Sequence, residues 1–153
     1  DRPHIKRLFL EEKENGITNF RKVVNISSTS GMFGNAGQIN YATAKAGVVG
    51  MAKTMAKEWG RYNVNVNAVG FGLIKTRLTD ADAEKEESLI DIEGNKIKVG
   101  VNSAVFQSAK TMIPLGRPGT PQEAAGAIYM FCIPESNYVT GQILMCHGGG
   151  FGY

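Results

Sequence analysis

The chain has 153 residues, of which 42% are hydrophobic and 20% charged, and its net charge is +3. These values are ordinary for a globular domain, and a chain of this length buries about 70% of its unfolded surface. No run of Lys or Arg marks a nucleic-acid surface and no apolar run approaches the ~18 residues of a membrane span, so neither partner is expected.

The first segment, DRPHIKRLFLEEKENG, has Ile5, Leu8 and Phe9 at helical spacing and ends at Gly16. This pattern predicts the last turns of a helix with a glycine stop. The chain opens on Asp1 and not on methionine. We therefore expect it to be part of a longer protein whose first strands lie upstream.

Strands and helices alternate through the next part of the chain. The β-branched run at residues 23–28 predicts a buried strand, and the alternating NVNVNAV at 63–69 predicts a second. Between them, residues 41–59 predict a helix that ends at Gly60. Its apolar stripe consists of Val48, Ala52, Met55 and Trp59.

The second half of the chain continues this alternation. Residues 80–112 are interpreted as two helical pieces separated by a turn. The sequence from Thr120 to Glu123 is a capping box with proline at the first helical position, which predicts a helix from Pro121 to Pro134. Residues 142–146 predict a third strand. Crossovers of this kind indicate an α/β fold, with one parallel sheet covered on both faces, in a single domain over residues 1–153.

Cys132 and Cys146 lie in apolar stretches without a CxxC motif or a histidine at metal spacing. We interpret them as buried free thiols in a reducing compartment, which predicts a cytoplasmic protein without a metal site. A disulfide or a metal site is the less favoured alternative.

The segment YATAKAG places Tyr41 and Lys45 four residues apart, on one face of the predicted helix. An ammonium group beside a phenol favours its ionised form, so the pair can act as a general acid and base. Ser28, at the end of the first strand, could hold a substrate oxygen nearby. These groups suit the interconversion of a carbonyl and an alcohol. The alternative is chance spacing, with Ser28 serving only as a turn residue.

Four segments in this order resemble the short-chain dehydrogenase/reductase family. VVNISSTSG and NYATAKAG are similar to its serine and Tyr-x-x-x-Lys segments, and Ser28 precedes Tyr41 by thirteen residues. NVNVNAVGFGLIKTRL and the stretch from 113 to 149 resemble the segments that follow. The resemblance implies the C-terminal half of a Rossmann-like doubly wound sheet without its first dinucleotide-binding strands. The most similar subgroup is the 3-oxoacyl-thioester reductases.

The resemblance also implies roles for particular residues. Ser28 would polarise the substrate carbonyl, Tyr41 would donate or accept the proton, and Lys45 would tune Tyr41. The cofactor, NADP or NAD, would be bordered by Tyr41, Lys45, Gly72, Ile74 and Thr76. Asn67 would be structural, and residues 77–112 would form a substrate lid.

Two departures from the family pattern stand out. Phe71-Gly72 replaces the usual Pro-Gly, which is expected to loosen the backbone and add bulk. The glycine-rich turn that binds the pyrophosphate is absent from the sequence, and GMFGNAG at 31–37 has the wrong glycine spacing to replace it. The choice between NAD and NADP is therefore not readable.

Three hypotheses follow from these observations. The chain is the catalytic half of an NAD(P)-dependent oxidoreductase, a truncated inactive fragment that acts only as a folded or oligomerising module, or an unrelated binder of small molecules. The resemblance also implies a homodimer or homotetramer. It would pair through the first segment, the helix at 41–59 with Val49 and Met51 off its main stripe, and the C-terminal FGY.

Overall fold

The computed structural model describes residues 2–76, 89–92, 95–98, 108–109 and 111–150. Within them, three parallel strands form one sheet in the order β1-β2-β5, and β3 pairs with β4 in an antiparallel hairpin. The strands are β1 (Arg21–Ser28), β2 (Val64–Phe71), β3 (Leu89–Ile92), β4 (Asn95–Lys98) and β5 (Ile143–Cys146). The helices are α1 (Arg2–Glu14), α2 (Thr29–Phe33), α3 (Ile39–Trp59) and α4 (Pro121–Tyr129), with short 3-10 turns at Gly60–Tyr62 and Pro134–Ser136.

The predicted strands and most predicted helices are confirmed. All three predicted strands are present and parallel, and the helix at 41–59 begins two residues early, at Ile39. Thr120 and Glu123 form the predicted capping box at the start of α4. That helix ends at Tyr129, earlier than expected, because the chain turns there and continues into the 3-10 turn before β5.

The prediction of two helical pieces over 80–112 is wrong at its centre. Leu89–Ile92 and Asn95–Lys98 are paired strands, whose register sets Asp91 opposite Lys96. Helical backbone is found only at 108–109 and 111–112 among the described residues of that segment. Most of the predicted lid at 77–112 lies outside the described residues.

Helices cover the sheet on both faces. On one face, Ala52 and Ala56 of α3 pack against the β2 side chains Val64, Val66 and Ala68. On the other face, Val69 of β2 packs with Ala127 of α4 and the following Phe131. This alternation of one strand between two layers is the expected consequence of a period-two side-chain pattern.

The predicted oligomer surface on α3 is partly wrong. Val49 is buried inside the chain, whereas Met51 is 46% exposed and Leu10 of α1 is 45% exposed. Residues 151–153 lie outside the described residues, so the C-terminal contact is not seen. The oligomeric state stays a prediction.

The second face of β2 is polar where α4 does not reach. The Asn67 Nδ2 donates to the Val139 carbonyl at 3.0 Å, and its Oδ1 accepts from the Gln142 backbone N–H at 2.9 Å. The Asn65 Nδ2 donates to the Asn137 carbonyl at 3.0 Å. Asn67 is structural, as expected, but it fixes the segment leading into β5 and not the loop after β2.

The first helix is attached to the start of β1 by a two-pronged ion pair. The Arg21 guanidinium donates to both carboxylate oxygens of Glu12, at 2.6 and 3.0 Å, and lowers the pKa of that carboxyl. The Phe9 and Tyr62 rings also meet edge to face, with centroids 5.8 Å apart. No helix in the described ranges has the length and apolarity needed to span a membrane.

Candidate active site

The carboxyl ends of the three parallel strands lie at one level of the sheet. Ser28 of β1 pairs with Phe71 of β2, which pairs with Cys146 of β5. The next backbone N–H, that of Gly72, donates to the Cys146 carbonyl at 3.0 Å. Open parallel sheets bind ligands at this edge, so the predicted site residues can be placed around it.

Ser28 ends β1 and caps α2. Its backbone is extended, with φ −148° and ψ 155°, and its Oγ accepts from the Ser30 backbone N–H at 3.2 Å. The side chain is 8% exposed. Its hydroxyl hydrogen has no acceptor among the described residues, so the group can donate to a substrate oxygen.

Tyr41 and Lys45 lie one turn apart in α3 and face each other. The Lys45 Nζ lies 5.7 Å from the centroid of the Tyr41 ring, within the range of a cation–π contact. It also donates to the Ile26 carbonyl of β1 at 3.1 Å, two residues before Ser28. Tyr41 is 43% exposed, and its hydroxyl makes no hydrogen bond within the described part of the chain. The phenol is therefore available at the surface with a cation beside it.

The backbone of α3 is fixed against the end of β1. The Ser27 hydroxyl donates to the Lys45 carbonyl at 2.8 Å. Gly31 in α2 packs so closely on α3 that an added Cβ would lie 2.6 Å from the Lys45 carbonyl carbon and 2.7 Å from its Cβ. These contacts set the position of Lys45 relative to Ser28.

We expect Gly31→Ala to destabilise the fold by about 1–3 kcal/mol, because its methyl group must push α2 away from α3. Chemical denaturation measures this change. The matched control is Gly50→Ala in α3, where an added Cβ meets nothing within 4 Å. That substitution should stabilise the helix by about 0.5–1 kcal/mol. Equal effects of the two variants would contradict the close packing of α2 on Lys45.

The predicted cofactor-binding residues of the loop after β2 are held by other loops. A Cβ on Gly72 would lie 2.7 Å from the His147 Cβ, so only glycine fits there. Ile74 bridges to Gly119, with the Lys75 N–H donating to the Gly119 carbonyl at 2.7 Å. Thr76 is exposed. The loop therefore has a defined backbone at the carboxyl edge of the sheet.

A pocket of about 150 Å³ opens beside this loop. Its walls come from the 73–74 loop, the 115–119 turn, the start of α4 and the end of β5. They include Leu73, Ile74, Arg117, Glu123, Cys146 and His147. Sequence reasoning missed Arg117 and His147, although His147 directly follows the third strand and so lies at the ligand-binding edge.

The pocket wall contains a paired carboxylate. The Arg117 guanidinium donates to both Glu123 oxygens, at 2.6 and 2.8 Å, and the Thr120 backbone N–H donates to one of them. These bonds, that of Arg117 first, lower the pKa of Glu123 to about 2. Burial raises the pKa of the Cys146 thiol, which also lines this pocket. The charges of Arg117 and Glu123 in this wall are thus already paired with each other.

Phe71 does not loosen the backbone as expected. It is the last residue of β2, paired with both neighbouring strands, and it packs against the cluster around Val69, Ala127 and Phe131. The strand ladder fixes its backbone without a proline ring. The Phe71 side chain packs among the residues that join α4 to the sheet.

The fold and the site define a doubly wound α/β protein with serine, tyrosine and lysine side chains at the carboxyl edge of a parallel sheet. A family model described as enoyl-(acyl carrier protein) reductase matches residues 11–150. The chain belongs to the short-chain dehydrogenase/reductase family, as the sequence motifs predicted.

Named relatives agree with this assignment. The chain is 42% identical over 127 residues to the 3-oxoacyl-[acyl-carrier-protein] reductase of Thermotoga maritima, covering 83% of this chain and 44% of that protein. It is 36% identical over 146 residues to the Synechocystis enzyme of the same name, covering 95% and 48%. The chain thus spans about half the length of the curated relatives it matches.

A solved structure supports the fold. The structure of a 4-hydroxyisoleucine dehydrogenase complexed with NADH superimposes with a TM-score of 0.65 at 23% identity. The match covers 94% of this chain and 51% of that one. At this identity the likeness supports the Rossmann-like fold alone.

Proposed function

We propose that this chain provides the catalytic residues of an NAD(P)-dependent oxidoreductase that interconverts a carbonyl and an alcohol. The observation that carries the proposal is the Lys45 Nζ lying 5.7 Å from the ring centroid of Tyr41. A 3-oxoacyl thioester is the proposed substrate class, because relatives at 35–42% identity are named 3-oxoacyl-[acyl-carrier-protein] reductases.

Tyr41 is the proposed proton donor in the reduction. Its hydroxyl is free to contact a substrate oxygen, and the Lys45 ammonium beside it stabilises the phenolate left after the proton moves. Ser28 donates its hydroxyl hydrogen to the same substrate oxygen and withdraws charge from the carbonyl. In the reverse direction Tyr41 accepts the proton of the alcohol.

The residues present fit a nicotinamide dinucleotide at its nicotinamide-ribose end. An ammonium has three donors, and Lys45 uses one of them on the Ile26 carbonyl, which leaves donors for ribose hydroxyls. Gly72, Ile74 and Thr76 form the loop proposed to border the nicotinamide and the pyrophosphate. The bound cofactor supplies or accepts the hydride. Membership of the family supports a nicotinamide cofactor, with either NAD or NADP open.

The test is a reductase assay with a 3-oxoacyl thioester and either NADPH or NADH, following the loss of the reduced nicotinamide. Because the chain covers about half the length of its relatives, two samples are assayed. One is the chain alone, and the other is the chain joined to an upstream dinucleotide-binding segment. We expect one 3-hydroxyacyl thioester for each cofactor oxidised by the joined form. Reduction of simple ketones without reduction of the thioester would support the carbonyl–alcohol reaction and contradict the 3-oxoacyl thioester as its substrate. No cofactor oxidation with any carbonyl substrate would contradict the proposal.

A further inference from the structure

The candidate cofactor loop, residues 72–76, is bonded to the turn that precedes α4. The Gly119 N–H donates to the Leu73 carbonyl at 2.9 Å, and the Lys75 N–H donates to the Gly119 carbonyl at 2.7 Å. A Cβ added to Gly119 would lie 2.7 Å from the Ile74 Cδ1, so the two segments are also in close contact. The position of the loop therefore follows the position of Gly119.

The peptide unit between Pro118 and Gly119 is bonded at both of its polar ends. Its N–H is the group that donates to the Leu73 carbonyl, and its carbonyl accepts from the Arg117 Nη1 at 3.1 Å. A peptide unit is planar and rigid, so a shift of its carbonyl also moves its N–H. Arg117 therefore acts on the cofactor loop through a single peptide unit.

The Arg117 guanidinium is fixed in turn by the first turn of α4. Its Nη1 and Nη2 donate to the two Glu123 carboxylate oxygens at 2.8 and 2.6 Å. One of these oxygens also accepts from the Thr120 N–H at 2.8 Å, as part of the capping box. Two parallel hydrogen bonds fix the orientation of the guanidinium plane. The Glu123 carboxylate thus connects the start of α4 to the turn, and through the turn to the cofactor loop.

We propose that the Arg117–Glu123 pair positions the cofactor loop and so sets the affinity of the protein for the nicotinamide end of its cofactor. This inference rests on the proposed function, in which the loop at 72–76 borders the cofactor. Arg117 and Glu123 are positioning residues that act through Gly119 without touching the cofactor. Tyr41 lies on α3, outside this series of contacts, so the pair acts on cofactor binding and not on proton transfer.

The exposure of the pair determines the size of the effect. The side chains of Arg117 and Glu123 are 53% and 45% exposed. An exposed ion pair contributes little to global stability, whereas a loop opens locally at a much smaller cost than the whole fold. Weakening the pair is therefore expected to increase local opening of the cofactor loop without unfolding the chain.

The first test is amide hydrogen exchange of the 153-residue chain, followed by NMR, for the parent and Glu123→Gln. Glutamine keeps an acceptor for the Thr120 N–H but loses the charge that pairs with Arg117. We expect the Lys75 and Gly119 amides to exchange about twofold to fivefold faster, the range for loss of an exposed ion pair. The Gly72 amide donates to the Cys146 carbonyl in the sheet and should keep its rate.

The matched control is Glu12→Gln, which removes the equivalent two-bond pair with Arg21 between α1 and β1. It changes net charge by the same amount and should leave the Lys75 and Gly119 exchange rates unchanged. Unchanged rates in Glu123→Gln, or equal increases in both variants, would overturn the proposal.

The second test measures the Kd of NADH and NADPH by titration calorimetry, with the chain joined to an upstream dinucleotide-binding segment. Glu123→Gln should raise Kd about twofold to fivefold and leave kcat at saturating cofactor within about twofold. Glu12→Gln should change neither constant. An unchanged Kd, or a loss confined to kcat, would refute the role of the pair in cofactor binding. If the parent joined form binds neither cofactor, the proposed function fails, and the inference about cofactor affinity fails with it, whatever the exchange rates show.

Discussion

Replacement of Tyr41 by phenylalanine is expected to lower kcat about 10²- to 10⁴-fold in a form of the protein that reduces its substrate. Only the hydroxyl is removed, so the ring and its contact with the Lys45 Nζ at 5.7 Å can remain. KM should change little, because the lost interaction acts on the proton in the transition state. Steady-state kinetics with cofactor at saturation give both constants.

The control for this substitution is Tyr129→Phe, which removes a hydroxyl from an exposed tyrosine of α4, away from the carboxyl edge. It should leave kcat within about twofold of the parent, the size of a minor surface change. Lys45→Ala should resemble Tyr41→Phe in kcat and also weaken cofactor binding. A Tyr41→Phe variant with a near-normal rate would show that another group moves the proton.

The isolated 153-residue chain is expected to show no saturable binding of NADH or NADPH in the micromolar range. A dinucleotide is held mainly by backbone N–H groups at a glycine turn and a helix N-terminus, and this sequence has no GxxxGxG motif. Each 1.4 kcal/mol of lost contact costs about tenfold in affinity, so several such losses move Kd from about 1 μM to above about 1 mM. Titration calorimetry measures the isotherm.

Gly31, Gly34 and Gly37 do not form a substitute for that turn. Gly31 is inside α2 and packs on Lys45, and Gly34 and Gly37 have positive φ in the connection from α2 to α3. The comparison sample is the same chain joined to a segment with a GxxxGxG strand–turn–helix, which should bind in the micromolar range. A micromolar isotherm from the isolated chain would place the cofactor site on residues that we assign to other roles.

The sequence predicted the sheet and the Tyr41–Lys45 contact because both depend on local periodicity. β-Branched runs define β1 and β2, and helical geometry alone sets two residues four apart against each other. The capping box of Thr120 and Glu123 can also be predicted from sequence, since its hydrogen bonds form within one turn of the helix.

The failures have a different physical origin. Two helical pieces with a turn between them are predicted over residues 80–112, although IDIEGNKIK has a glycine between two alternating runs, which is a hairpin signal. Val49 is buried although it lies off the predicted apolar stripe of α3, since burial depends on the neighbours that tertiary packing places around the helix. The expectation of a buried thiol is wrong for Cys132, which is exposed. Its exposure depends on where the chain leaves α4, and element ends are poorly encoded locally.

The two buried asparagines of β2 have a consequence for the order in which the chain folds during synthesis. The Nδ2 groups of Asn65 and Asn67 donate hydrogen bonds to the Asn137 and Val139 carbonyls, and each of these partners follows 72 residues later. A buried amide without a partner costs about 1–3 kcal/mol. Until the segment at 137–142 has left the ribosome, these two amide donors lack their native partners, and burying that face of β2 would carry this cost even with α3 already packed on the other face. This face of the nascent sheet therefore closes only after the segment at 137–142 has been synthesised.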